Sequence, residues 1–171
     1  LIKPKVYRDK RGYFFESYRE SSFKEINFNK EFVQDNTVFS RNIGIIRGLH
    51  YQLKRPQGKL IHVISGSIID VIVDIRLGSP DFGKSLMIKI DGDSHNMIYI
   101  PEGFAHGYLV LEENTIIQYK CTNYYDPNSE FGISWDDKDL NISWNIDNPI
   151  ISDKDRNLPN LKEQPNLPTY Q

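Results

Sequence analysis

The chain has 171 residues, enough for one domain with a real core and too few for two. Its 21 basic and 23 acidic residues leave a formal net charge of -2, which excludes the broad positive field of a nucleic-acid or anionic-membrane binder. A single cysteine, Cys121, can form neither an internal disulfide nor a thiolate metal site alone, and no apolar run nears the roughly 20 residues that span a bilayer, so the cytoplasm is the expected compartment.

In chain order, the first regular element expected is a short peripheral helix after Ser22. There Ser22 and Glu25 form a capping-box pattern, and Phe23 and Ile26 share a face. The stretch Leu60 to Ile75, rich in Ile and Val and broken by Ser65-Gly66-Ser67, predicts a hairpin. On its second arm Ile69, Val71, Val73 and Ile75 form an apolar face. Ile68, Asp70, Ile72 and Asp74 form a mixed face suited to lining a cavity. Further strands are predicted over Lys84 to Ile90, Asn96 to Ile100, Ala105 to Leu111 and Thr115 to Thr122, separated by Gly, Pro, Asp and Asn clusters. This spacing of short strands specifies an all-β sandwich or barrel. After Pro149 the sequence turns polar and proline-rich. The expected division is a single domain over 1–160 and an extended, partly mobile tail over 161–171.

Three clusters set polar groups beside glycines in strand-like sequence: Arg47-Gly48-Leu49-His50, Gln57-Gly58-Lys59, and Pro101-Glu102-Gly103-Phe104-Ala105-His106. Glycine lets a ligand approach the backbone, and a strand-borne side chain projects from a rigid support. Each cluster alone reads more readily as a structural histidine or an exposed hairpin, and it is their joint presence that points to a site. The third is similar to the second motif of metal-binding cupin barrels, yet the His-x-His pair of their first motif is missing, since His50 is followed by Tyr51 and Gln52. His106 therefore reads as a pocket residue, and no metal is expected. Asp70 and Asp74 lie about 13 Å apart along a strand, too far for a catalytic carboxylate pair. Cys121 reads as a small buried hydrophobe. A regular strand also puts Arg47 and His50 on opposite faces, so both reach one pocket only if Gly48 forms a bulge.

Taken in order, the motifs resemble the dTDP-4-dehydrorhamnose 3,5-epimerase family from about Lys3 to Leu161. They run from Asp9-Lys10-Arg11-Gly12-Tyr13-Phe14-Phe15-Glu16 through Phe32-Val33-Gln34-Asp35-Asn36, Arg47 to Gln52, Gln57 to Leu60 and Ser79 to Gly83. Ile100 to Tyr108, Tyr119 to Tyr125 and Ile151 to Asp155 complete the series. The resemblance implies a cupin-like antiparallel β-barrel (jelly roll) with no cofactor. It implies a homodimer with exchanged N-terminal strands and a nucleotide-diphosphate sugar substrate, in the service of surface-carbohydrate biosynthesis. It makes His50 the general base, Asp155 its orienting carboxylate and Tyr119 the acid on the opposite face of the sugar ring. Lys59 and His106 would stabilise the enolate, and Arg47 would hold the diphosphate. Gln34, Asn36 and the base-stacking Tyr125 would line the nucleotide site, joined by Arg11 and Glu16 from the partner subunit. The residue types suit the chemistry: a ketone at C4 acidifies the protons at C3 and C5, histidine titrates near neutrality, and a buried cation stabilises enolate charge. Two departures stand out, His62 where the family has arginine and Thr37-Val38 where it has His-Ser. Neither falls on the proposed proton-transfer residues. They leave open a GDP-linked 4-keto-6-deoxy-heptose as substrate, and a barrel that binds sugar nucleotides without turnover is the reading from another class.

Overall fold

The computed structural model describes residues 1–170. Two antiparallel sheets face each other. One holds four strands in the order β3 (Gln34–Ser40), β10 (Thr115–Cys121), β5 (Lys59–Ser65) and β8 (Met97–Ile100). The other holds five, in the order β11 (Glu130–Gly132), β4 (Ile46–Gln52), β9 (Phe104–Val110), β6 (Ser67–Asp74) and β7 (Ser85–Asp91). This is the expected cupin-like jelly roll. A separate hairpin of β1 (Tyr7–Asp9) and β2 (Gly12–Phe14) lies at the N-terminus. Only two short α-helices occur among the described residues, α1 (Glu20–Glu25) and α2 (Asp153–Arg156), with one 3-10 turn at Leu161–Glu163.

Alternation assigns each face. On β6, Ile68 and Ile72 point between the sheets with Ile61, Val63, Ile98 and Ile117, while Val71 and Val73 point outward. The C-terminal residues cover that outward face: Leu140, Trp144, Ile151 and Leu161 pack on Leu49, Val71, Val73 and Leu109. Each such fully buried aliphatic side chain stabilises the fold by about 1.5–3 kcal/mol. The outer face of the four-stranded sheet is covered by the N-terminal segment, through Phe23, Phe28 and Phe32 against Leu60, Met97 and Tyr99. Beside them Phe15 sits edge-on to His62 at 5.5 Å and stacks on His95 at 4.9 Å.

Three expectations change. Leu60 to Ile75 is no hairpin: the chain turns at Gly66 (φ +81°), but β5 and β6 enter different sheets and do not pair. Alternation fixes which face a residue takes and says nothing about which strand lies beside it. The first helix begins at Glu20 with Arg19 as N-cap, and Ser22 caps nothing; its hydroxyl accepts instead from Arg19 Nε at 2.9 Å. The residues after Pro149 carry two short helical turns, Asp153–Arg156 and Leu161–Glu163, and they are docked. Leu77 bridges Thr169, the Tyr51 hydroxyl donates to the Asn166 carbonyl at 2.7 Å, and Gln164 Nε2 donates to the Gly132 carbonyl at 2.8 Å.

Candidate active site

At one end of the barrel the inward positions turn from aliphatic to polar. Two adjoining cavities of about 350 and 550 Å³ open there, and His50, Lys59 and Tyr119 line both. His50 stands on the five-stranded wall, while Lys59 and Tyr119 stand on the four-stranded wall opposite.

The His50 side is set by a bulge. Arg47 pairs with Tyr108 and His50 with His106, so Gly48 and Leu49 together oppose the single residue Gly107. That extra residue changes the parity of the strand and turns Arg47 and His50 toward the same cavity. Glycine is required on both strands. A Cβ on Gly48 would lie 2.5 Å from the His106 carbonyl oxygen, and one on Gly107 would lie 2.6 Å from that of Arg47. Gly48 also takes φ +104°, a value that favours glycine.

Asp155 reaches this point from α2. Ser152 caps the helix, accepting from the Asp155 amide at 3.1 Å. The carboxylate then bonds His50 Nε2 at 2.7 Å through Oδ1 and accepts from the Gly48 amide at 3.1 Å through Oδ2. Burial pushes the Asp155 pKa up, but the His50 contact, the Gly48 amide and Ser152 outweigh it and hold the carboxyl below its usual range. An ionised Asp155 fixes the proton on Nε2 and leaves the His50 Nδ1 lone pair free to act as a base. His50 is 24% exposed and Asp155 5%, so the pair has a dry side and a wet side.

On the opposite wall, burial pushes the Lys59 ammonium down, partly countered by Cys121, Glu130 and Asp70. Burial raises the Tyr119 hydroxyl, keeping it protonated at neutral pH, with Arg47 acting the other way. Gln34 and Asn36 project beside them from β3 and are tied together by a 3.0 Å hydrogen bond. Cys121 is buried, as expected.

A second His–carboxylate pair lies next to the first. His106 Nε2 meets Asp70 Oδ2 at 2.8 Å, with Asp70 fully buried and its Oδ1 without a hydrogen-bond partner. Asp70 thus faces inward, on the mixed face of β6, while Asp74 binds Arg76 and Ser79 at the turn. Sequence reasoning missed this pairing, although a carboxylate inside the run Ile68-Ile69-Asp70-Val71-Ile72 is itself a signal that a partner must exist.

Two expected site residues stay apart from the cavities within the single chain. The Arg11 guanidinium is tied to Asp9 at 2.6 Å with its side chain 84% exposed, and Glu16 pairs with Arg19 at 3.3 Å. Tyr125 does line the smaller cavity; its hydroxyl donates to Glu130 at 2.9 Å and its amide to Gln34 Oε1 at 2.8 Å. Glu130 and Lys154, both wall residues, were not foreseen. Of the two departures, His62 faces outward under Phe15, whereas Val38 lines the larger cavity. Among the described residues no three His, Cys, Asp or Glu side chains converge as a metal site would require.

A family model described as dTDP-4-dehydrorhamnose 3,5-epimerase matches residues 1–163. The chain is similar to the dTDP-4-dehydrorhamnose 3,5-epimerase of Methanothermobacter thermautotrophicus, with 46% identity over 168 residues, 96% of this chain and 90% of the relative. It is 46% identical to the Shigella flexneri enzyme of the same name over 159 residues, 92% of this chain and 87% of that one. Its structure is similar to the crystal structure of a dTDP-6-deoxy-D-glucose-3,5-epimerase from Legionella pneumophila in complex with dTDP-4-keto-L-rhamnose. There the TM-score is 0.94 at 43% identity, covering 99% of this chain and 92% of that one.

Proposed function

The chain belongs to the dTDP-4-dehydrorhamnose 3,5-epimerase family, and from that premise we propose how its own residues carry out the inversion. The protein is an isomerase-class enzyme acting on a dTDP-linked 4-keto-6-deoxy sugar. The observation that carries the mechanism is the His50–Asp155 pair at 2.7 Å on one wall of a cavity whose other wall bears Lys59 and Tyr119. His50 removes the proton at C5 or C3, and the electron pair passes into the C4 carbonyl as an enolate. The Lys59 ammonium and His106 stabilise the oxygen charge in a site shielded from water. Tyr119 then returns a proton from the opposite wall, which inverts the centre. Arg47, at the cavity mouth, holds the diphosphate with its planar fork. Gln34, Asn36 and Tyr125 bind the nucleoside.

The same reading includes a homodimer. It is supported by the exposed aromatic side chains of the N-terminal hairpin, Tyr7, Tyr13 and Phe14, and by Arg11 and Glu16 lining neither cavity of their own chain. In the dimer these two residues complete the neighbour's nucleotide site. The cytoplasm, where nucleotide sugars are made and where a lone buried thiol stays reduced, is the proposed location.

The test is incubation of dTDP- and GDP-linked 4-keto-6-deoxy sugars in deuterated water, followed by NMR. Deuterium at both C3 and C5 of the dTDP sugar, with inversion, is the expected result. Binding without exchange would mean a non-catalytic barrel, and exchange confined to the GDP sugar would move the substrate assignment.

A further inference from the structure

Two buried histidines lie outside the catalytic site, beneath the N-terminal hairpin. His62 stands on the outward face of β5, and His95 lies in the turn before β8. Side chains alternate along β2 and just past it, so Tyr13 and Phe15 share one side while Phe14 and Glu16 share the other. Tyr13 meets His95 at 4.3 Å; Phe15 stacks on His95 at 4.9 Å and stands edge-on to His62 at 5.5 Å. The opposite side is free of these contacts, with Phe14 66% exposed and the Glu16 side chain 49%. What holds Tyr13 and Phe15 therefore sets the direction of Glu16 and of Arg11 at the turn.

Both rings are uncharged in the docked state. Arg8 Nη2 lies 3.3 Å from His95 Nε2, and a guanidinium can only donate, so Nε2 accepts. His62 Nδ1 is buried without a hydrogen-bond partner, and burial, then His95, lowers its pKa. Facing the pair are Arg8 from β1, Tyr13 from β2, and Gln118 and Lys120 from β10, the last tied to Asp35 at 2.9 Å. The carboxyls of the turn that holds His95 point elsewhere, Asp91 to the Ser94 amide and Asp93 to solvent. A proton on either ring thus meets no counter-charge and faces Arg8 or the other ring. The aromatic faces offer a cation some attraction, but they leave like charges together and desolvated.

We propose that neutral His62 and His95 are positioning residues: they seat the N-terminal hairpin, and Arg11 and Glu16 meet the neighbouring subunit's nucleotide site only while both rings are uncharged. Because the folded pKa of His62 is lowered, the seat holds above the ordinary 6.5 and is lost as pH falls through the lower value. The proposal rests on the homodimer reading above and adds to it the residues that aim the hairpin.

Calorimetric titration with dTDP-glucose at about pH 7.5 and about pH 5.5 tests it, on the wild type, His62→Gln/His95→Gln and Arg8→Gln. Each is checked by thermal melting at both pH values and by sedimentation at the higher one. The diphosphate of this probe is a diester and keeps its charge across the range. The wild type should bind about tenfold more weakly at the lower pH, the scale of one charge-assisted contact. Protonation of His50 in the same range adds a cation to the site and pulls the other way. The double variant should match the wild type at the higher pH and lose the dependence. Arg8→Gln, whose amide can accept from a protonated His95, should reduce it to a few-fold, and it decides alone if the double variant melts below the assay temperature. Equal wild-type affinity at both pH values, or the full dependence in either variant, overturns the proposal while the dimer stands. A monomer that binds with full affinity overturns the dimer and the seat together.

Discussion

The barrel holds two histidine–carboxylate pairs side by side, and they differ in surroundings far more than in geometry. His50–Asp155 spans 2.7 Å and His106–Asp70 spans 2.8 Å, and His50 and His106 are direct neighbours across β4 and β9. Asp155 comes from a capped helix end, gathers an amide and an imidazole, and leaves its histidine in contact with the cavity mouth. Asp70 stands on a central strand, fully buried with one oxygen unpartnered, and its histidine is only 8% exposed where it lines the larger cavity. The lesson is that a His–Asp couple does not by itself mark a base. The open pair can exchange protons with water and with substrate, whereas the closed pair is suited to holding charge or a hydrogen bond in place.

The strongest test of that division is His50→Asn. It should slow deuterium exchange at C3 and C5 by about 10²- to 10⁴-fold with dTDP affinity near normal, and exchange at wild-type rate would transfer the base to the closed pair. Tyr119→Phe should come next in size. It keeps the ring and removes the acid, so deuterium should enter with the original configuration retained, as NMR of the recovered sugar would reveal; full inversion would remove Tyr119 from the mechanism. Asp155→Asn should cost about 10²-fold in kcat, and Asp70→Asn only about tenfold, the scale of one charge-assisted hydrogen bond. Equal losses would erase the distinction between the pairs.

The Asp155 carboxyl, lower in the folded state than its ordinary value of 3.8, stabilises the fold fully above that value. That contribution disappears as pH falls through the lowered one, so Asp155→Asn should flatten the acid limb of a pH–denaturation curve. The smallest effect concerns His62, whose pKa is lowered by burial first and then by His95. Its neutral form contributes stability that is complete above the ordinary 6.5 and falls away as pH drops toward the lower folded value. His62→Gln should remove that pH dependence in chemical denaturation.

The strands from β5 to β10 could be read from their alternation almost to the residue, because each has one face in the core. Pairing could not, since Gly66 sends β6 into the other sheet, and nothing in an apolar repeat records that choice. The His50–Asp155 contact joins residues 105 positions apart and became visible only through the family resemblance. Lys154 and Glu130 were hidden because surface-type residues in polar sequence look alike until the fold brings two of them to one cavity mouth. Docking of the tail went unseen for a similar reason: Ile151, Leu161 and Gln164 are spread thinly among prolines and charges, yet each is buried.

The bulge at Gly48 repays counting. Remove that residue, and Arg47 and His50 become two apart, which an ordinary strand already directs to the same side. Aim alone would therefore be met by a chain one residue shorter. What the additional residue contributes is an amide released from the interstrand ladder, and it is this amide that donates to Asp155 Oδ2. A Gly48 deletion would separate the two jobs: both side chains could still point inward, while the carboxylate lost one of its anchors and with it the fixed bearing of the imidazole.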